Sequence, residues 1–298
     1  MLIGMCGAEF PDVREFLARE LPEAEIAVID HGAIPDFTVD VILPAGGVVS
    51  AELMDAARPK LIQQFGVGLQ GVDLEAARER GIEVRNVPAA DTGNAVAVAE
   101  IVIFHLLALL RRFPETVASV LDRRVGQPTG ATLAGKTVAV LGTGAIGQRV
   151  LELLDAFGAE PVGIGRRQEN DLLPPGRYFQ ADRLDEALKN AAALVVCVPL
   201  TEESRGMVGP AAFAALPPGG YLVNVGRGPV VDYQALLDAL RGGRLAGAGL
   251  DVTWTEPVDP ADPLLEQNVL VTPHIGGVTR ESYAQMAAAF AASVRSVV

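Results

Sequence analysis

A histidine, an arginine and a glutamate, each just past an apolar run, are the residues of this chain best suited to chemistry. His274 in "VTPHIGG" (271–277) follows a proline and precedes two glycines, and only His31 and His105 accompany it in 298 residues. Arg227 lies in "LVNVGRGPVVD" (222–232) and Glu256 in "GAGLDVTWTEPVDP" (247–260). An imidazole can deliver or take a proton near neutral pH, a guanidinium can polarise a carbonyl and hold a carboxylate, and a nearby glutamate can keep the imidazole protonated. These are the needs of a site that reduces a 2-keto acid. Singly, each residue has a plainer reading as a turn histidine, a loop cation between glycines or a loop Glu-Pro pair. Their joint occurrence after successive strands of one domain favours the chemical reading.

The elements that must position them are short apolar strands alternating with helix-period segments, which argues for parallel sheets with helices on both faces. In the first third the strands are expected at 2–6, 25–29, 41–43, 61–65 and 82–86, with helical stretches such as "PDVREFLARE" and "LEAARERG" between them. They make a small doubly wound domain. After the Gly/Pro/Thr-rich connection "GQPTGATLAGK" (126–136), six more strands are expected at 137–141, 161–164, 193–198, 221–225, 249–252 and 269–272, a series that fits a dinucleotide domain. A final helix is expected from about Glu281 to Val297.

Within "TVAVLGTGAIGQRVLELLDAFGAEPVGIGRR", Gly142, Gly144 and Gly147 have GxGxxG spacing between a strand and a helix. Gly142 allows the tight turn, Gly144 lets backbone approach a pyrophosphate, and Gly147 permits close helix–strand packing. The amides of Ala145 and Ile146 at the helix start would receive the anion. Ile146, Val150, Leu153, Leu154 and Phe157 recur at helical intervals and should face the sheet, with Gly158 ending the helix. The next strand of such a domain usually ends in an acid that binds the adenosine ribose. Here Gly165, Arg166 and Arg167 stand there. Two guanidiniums can pair with a 2′-phosphate, so NADP is expected over NAD, with NAD still usable.

Composition excludes several classes. Lys and Arg number 24 against 37 Asp and Glu, a formal charge of −13, which gives no general attraction to nucleic acid or anionic lipid. Cys6 and Cys197 have no metal or disulfide spacing, so no metal site is expected and the thiols fit a reducing compartment. The N-terminal "MLIGMCGAEF" has no basic leader, and a cytoplasmic protein is expected. The apolar run Ala95–Leu110 is broken by Glu100 and His105 and falls short of the roughly 20 residues a bilayer needs. A buried helix is the better reading.

From about residue 40 onward the chain resembles the D-isomer-specific 2-hydroxyacid dehydrogenase family. The resemblance rests on "FGVGLQGVDLEAARERGIEVRNVP", "AVAE" at 97–100, "LGTGAIG", "VPLTEESRGMV", "NVGRGPVVD", "AGLDVTWTEP" and "TPHIGG", in that order. It implies an α/β fold of two doubly wound parallel-sheet domains, a Rossmann dinucleotide-binding domain (95–274) inserted in a flavodoxin-like substrate domain (1–94 and 275–298). The helix near 95–112 would bridge the two, and the last helix would return to the first domain. It further implies His274 as general acid/base, Glu256 as its carboxylate partner and Arg227 as the substrate-orienting cation. Asp251 would lie near the nicotinamide carboxamide. Val198, Pro199, Val225, Gly226, Gly276 and Gly277 would contact the cofactor, and Val67 and Gly68 would offer amides to the substrate carboxylate. Dimerisation through the helix around Ala95–Arg112 and the loop after it is also implied.

Arg166 and Arg167 depart from NAD-preferring members and resemble the NADP-using glyoxylate and hydroxypyruvate reductases. Glu256 stands where formate dehydrogenases of this fold use glutamine, which disfavours formate. The segment "NVPAADTGNAVAVAE" looks longer than the common family version, so no contact is assigned to Thr92 or Asn94. The small residues of "PAGG" (44–47) offer no charge for a distal phosphate, so a short 2-keto acid of the glyoxylate/hydroxypyruvate type is expected as substrate. The alternatives are a nucleotide-sensing regulatory protein of the same fold, or a dehydrogenase for another oxyanion such as phosphonate.

Overall fold

A computed structural model describes residues 1–7, 10–167 and 170–298. The chain divides into two compact units, one of residues 1–94 with 279–298 and one of residues 95–278. The second junction falls four residues later than the 274/275 boundary suggested by the sequence. Ile275 and Gly276 are bonded through their amides to Asp251 and go with the second unit.

The first unit contains β1 (Leu2–Cys6), α1 (Pro11–Glu20), β2 (Glu25–Ile29), β3 (Val41–Leu43), α2 (Ala51–Ala57), β4 (Leu61–Gln63), α3 (Leu74–Glu79) and β5 (Glu83–Arg85). Its five strands are parallel in the order β2-β1-β3-β4-β5. Strand β3, buried along its whole length, reads as an unbroken apolar triplet because helices cover both faces. Ser50 and Asp73 cap α2 and α3 through their side-chain oxygens. The C-terminal helix (Arg280–Arg295) returns to this unit. Tyr283 packs edge-on against Phe16 and Phe65, and Arg295 bonds Glu23 and the Glu20 carbonyl.

The second unit follows with α4 (Asn94–Leu110), α5 (Phe113–Leu121), β6 (Thr137–Leu141), α6 (Ala145–Ala156), β7 (Glu160–Gly165), β8 (Tyr178–Gln180), α7 (Leu184–Leu188), β9 (Ala193–Val196), α8 (Pro210–Ala215), β10 (Gly220–Asn224), α9 (Tyr233–Arg241), β11 (Leu245–Leu250) and β12 (Val269–Val271). Its sheet is parallel throughout, in the order β12-β11-β10-β9-β6-β7-β8. The sequence pattern gave six strands where seven form, β8 being the addition. The two-residue period of a strand sends Val138 and Val140 to one face with α4 and α6, and Ala139 and Leu141 to the other with α7, α8 and α9. The crossover of chain order between β6 and β9 is the switch point at which open α/β sheets bind ligands.

No single helix among the described residues is long and apolar enough to cross a membrane. Only α4 and α5 taken together, bent by 58°, reach that length and composition.

Candidate active site

Three loops leave the carboxyl ends of β10, β11 and β12 and carry Arg227, Glu256 and His274. The His274 Nδ1 atom lies 2.6 Å from Oε2 of Glu256, whose Oε1 accepts the Thr253 N–H at 3.0 Å. Partial burial pushes the Glu256 carboxyl up. The hydrogen bond and charge of His274, the Thr253 amide and the charge of Arg227 outweigh it and hold the group below the ordinary glutamate value. Burial depresses the Arg227 guanidinium, against the opposing pull of Glu256 and Asp251. Arginine remains a cation under such a shift. The three side chains chosen from the sequence therefore act on one another.

Each loop is pinned by its neighbours. Asn224 donates to the Arg227 carbonyl and accepts from the Gly226 amide, while the Arg227 guanidinium reaches back to the Gly226 carbonyl at 2.7 Å. A Cβ on Gly228 would fall 2.2 Å from the Thr253 carbonyl, so only glycine lets the arginine loop lie against the glutamate loop. Trp254 anchors the latter by donating its indole N–H to the Val231 carbonyl at 2.8 Å and packing edge-on against Tyr233.

His274 sits at φ +54°, a left-handed conformation that costs a non-glycine residue energy and persists only when its surroundings impose it. Asp251 supplies that constraint. Its backbone carbonyl accepts the His274 amide, Oδ1 accepts the Ile275 amide and the Thr272 hydroxyl, and Oδ2 accepts the Gly276 amide, all at 2.6–3.0 Å. The sequence suggested Asp251 as a cofactor contact, and the structure gives this 3 % exposed carboxylate a second task of holding three consecutive amides. That task was not legible from the sequence.

At the other end of the site, α6 begins at Gly144 with no side-chain cap, so its first amides are open to an anion. Gly142 lies at φ +97°, a Cβ on Gly147 would fall 1.8 Å from the Gly142 carbonyl, and a Cβ on Gly144 would meet nothing within 4 Å. Two glycines are thus demanded by the fold. The third keeps open a cradle that a side chain would fill, which is where a dinucleotide pyrophosphate fits. Gly142 and Gly226 both abut Val198, so Gly142, Val198 and Gly226 converge at the ends of β6, β9 and β10. Val225 is buried with its amide bonded to Val196, Pro199 is exposed, and Gly277 is half-buried beside Gly276.

Arg166 and Arg167 are exposed just past β7 and form no ion pair with any described residue. Gly165 is hemmed in by the Tyr178 and Thr143 hydroxyls, which a Cβ there would strike at 2.5 and 2.9 Å. In the first unit, the carbonyls of Val67 and Gly68 accept from the side-chain amides of Asn86 and Gln64, which fixes the loop after β4. Thr92 and Asn94 are taken up within that unit by the Pro88 carbonyl and the Met286 sulfur. Both cysteines are unbridged, and burial pushes their thiols up to about 12.

Residues 103–276 match the family model "D-isomer specific 2-hydroxyacid dehydrogenase, NAD binding domain". The chain belongs to the D-isomer-specific 2-hydroxyacid dehydrogenase family. Among relatives it is 37% identical over 270 residues to the D-3-phosphoglycerate dehydrogenase of Mycobacterium bovis, covering 88% of this chain and 49% of that protein. It thus spans about half the length of that relative. It is 38% identical over 284 residues to the hydroxyphenylpyruvate reductase of Plectranthus scutellarioides, covering 93% and 83%. Among solved structures, the NADPH-dependent glyoxylate/hydroxypyruvate reductase of Sinorhizobium meliloti, in complex with NADP and malonate, superposes with a TM-score of 0.83 and 31% identity, covering 99% and 92%. Membership places the second unit as the NAD(P)-binding part of the chain and agrees with the two parallel-sheet α/β fold read from the sequence.

Proposed function

We propose that this chain reduces a short 2-keto acid to the D-2-hydroxy acid, with NADPH preferred over NADH. The observation that carries the reading is the 2.6 Å His274–Glu256 pair with the Arg227 charge acting on it. The uncapped start of α6 and the open Gly144 surface would hold the pyrophosphate, with Val198, Val225, Gly226 and Gly276 around the rest of the dinucleotide. When bound, the nicotinamide supplies the hydride. His274 delivers a proton to the substrate oxygen from its Nε2 atom, since Nδ1 faces the carboxylate. Glu256 fixes the ring and balances its charge, and Arg227 stabilises the negative charge that grows on the oxygen. Val67 and Gly68, whose carbonyls are already engaged, have amides to offer the substrate carboxylate.

Arg166 and Arg167 support the preference for the 2′-phosphate, because guanidiniums without an ion-pair partner among the described residues need no rearrangement to receive it. The loop after β3 supports a short substrate, since Ala45, Gly46 and Gly47 bring no charge to match a distal phosphate. Unbridged thiols fit a cytoplasmic setting, and the partner is a second copy of the chain.

The test is a panel of glyoxylate, hydroxypyruvate, pyruvate and hydroxyphenylpyruvate, each with NADH and NADPH, together with D-3-phosphoglycerate in the oxidative direction. Glyoxylate or hydroxypyruvate with NADPH should give the highest kcat/KM. His274→Gln should lower kcat by about 10²–10⁴-fold with cofactor affinity nearly intact. Replacing both Arg166 and Arg167 by Ser should raise KM for NADPH by roughly 10–100-fold and leave that for NADH nearly unchanged. Binding of NADPH without its oxidation by any keto acid would instead indicate a nucleotide sensor.

A further inference from the structure

His105 is one of three histidines, fully buried in α4, and takes no part in the proton transfer described above. Its Nε2 atom lies 3.0 Å from the Thr272 hydroxyl. That hydroxyl is 2.6 Å from Oδ1 of Asp251, a carboxylate oxygen with no proton to give, so Thr272 donates there and accepts from His105. The imidazole is therefore in its Nε2–H form. Nδ1 has no partner among the described residues and faces Gly249, where a Cβ would come within 2.8 Å of the ring. A buried nitrogen left without a partner costs free energy. Leucine would fill an apolar helix face at no such cost.

The chain of bonds explains the expense. His105 N–H orients the Thr272 hydroxyl, Thr272 O–H orients the Asp251 carboxylate, and that carboxylate gathers the amides of Ile275 and Gly276 while its own carbonyl takes that of His274. We propose that His105 is a positioning residue, which holds the His274 loop in its left-handed conformation through Thr272 and Asp251. The proposal rests on the assignment of His274 as acid/base. Burial depresses the His105 imidazole against the pull of Asp251, so it stays neutral and a donor through the working range of pH.

The experiment compares His105→Leu, which removes the donor, with His105→Gln, whose side-chain amide can replace Nε2–H, and with Thr272→Val and the His105→Leu/Thr272→Val double variant. Two readouts are taken: kcat and KM with the best keto acid, and hydrogen exchange of the Ile275 and Gly276 amides in the protein without substrate. His105→Leu should lower kcat about ten-fold with KM within two-fold, and should speed exchange of those two amides about ten-fold while the β6 amides keep their protection. His105→Gln should recover most of both losses, and the double variant should fall no further than Thr272→Val alone. Unchanged kcat and exchange in His105→Leu would overturn the proposal, and so would a His105→Gln variant as impaired as His105→Leu, since packing alone would then explain the site. Should no form of the protein turn over a keto acid, the exchange data still decide whether the network holds the loop, and the failed assay counts against the proposed reaction instead.

Discussion

Glu256 shows at the scale of one residue how a charge is kept for use. Its carboxyl is pushed up by burial yet held below the ordinary value by His274, Thr253 and Arg227, so it remains an anion at any pH above about 4.5. A depressed carboxylate stabilises the fold above the unfolded value, and that contribution is lost as pH falls through the folded one. Glu256→Gln should therefore melt below the parent at neutral pH, with the gap in Tm closing as pH drops below about 4.5. The same variant should lose roughly 100-fold in kcat while binding cofactor as before. Equal melting curves at pH 7 would show that the pair adds nothing to stability. The types of these three side chains were legible in the sequence because reduction of a carbonyl demands them. The left-handed backbone of His274 and the network that imposes it were not, since they depend on Asp251, Thr272 and His105 meeting across three elements.

Elements whose pattern follows a clean period were legible, and those shaped by close contact were not. Strands β1, β2, β3 and β6 form where apolar runs put them. Strand β11 was expected only at 249–252 but runs from Leu245 to Leu250, because "LAGAGL" has the look of a loop. Its glycines are there for contact: a Cβ on Gly247 would strike Asn268, and one on Gly249 would strike His105. Strand β8 has three residues after a Pro-Pro-Gly turn and shows no period at all. Phe157, expected on the sheet face of α6, caps the helix and is largely exposed, while Leu151 takes the buried place. The glycines of α6 separate fold from function. Gly147→Ala must displace the Gly142 carbonyl and should lower Tm by several degrees or prevent folding. Gly144→Ala meets nothing, so Tm should hold within about a degree while Kd for NADPH rises at least ten-fold, measured by calorimetry beside thermal melts. A Gly144→Ala variant with parental Kd would remove the pyrophosphate from that cradle.

At the scale of the whole molecule, one surface is at odds with the rest. The chain carries 13 net negative charges, yet Phe113, Val117, Val120 and Leu121 of α5 are all exposed, Leu121 to 79%, and Ser119 is the one buried residue of that helix. Their spacing of four, three and one puts them on a single helical stripe, and exposed Phe104 on α4 and Val125 beyond α5 add to the apolar surface. A contiguous apolar patch of this kind needs a cover. An anionic bilayer is disfavoured by the net charge. A second copy of the same stripe is matched to it by chemistry and can close on itself about a two-fold axis. Leu121→Glu combined with Val120→Glu would then place four carboxylates in one buried interface and should convert a dimer to a monomer in sedimentation equilibrium, while the fold of each chain survives because neither side chain is packed within it. A protein that sediments as a monomer before mutation would leave the stripe without this partner, and a double variant that remains dimeric would move the interface elsewhere on the surface.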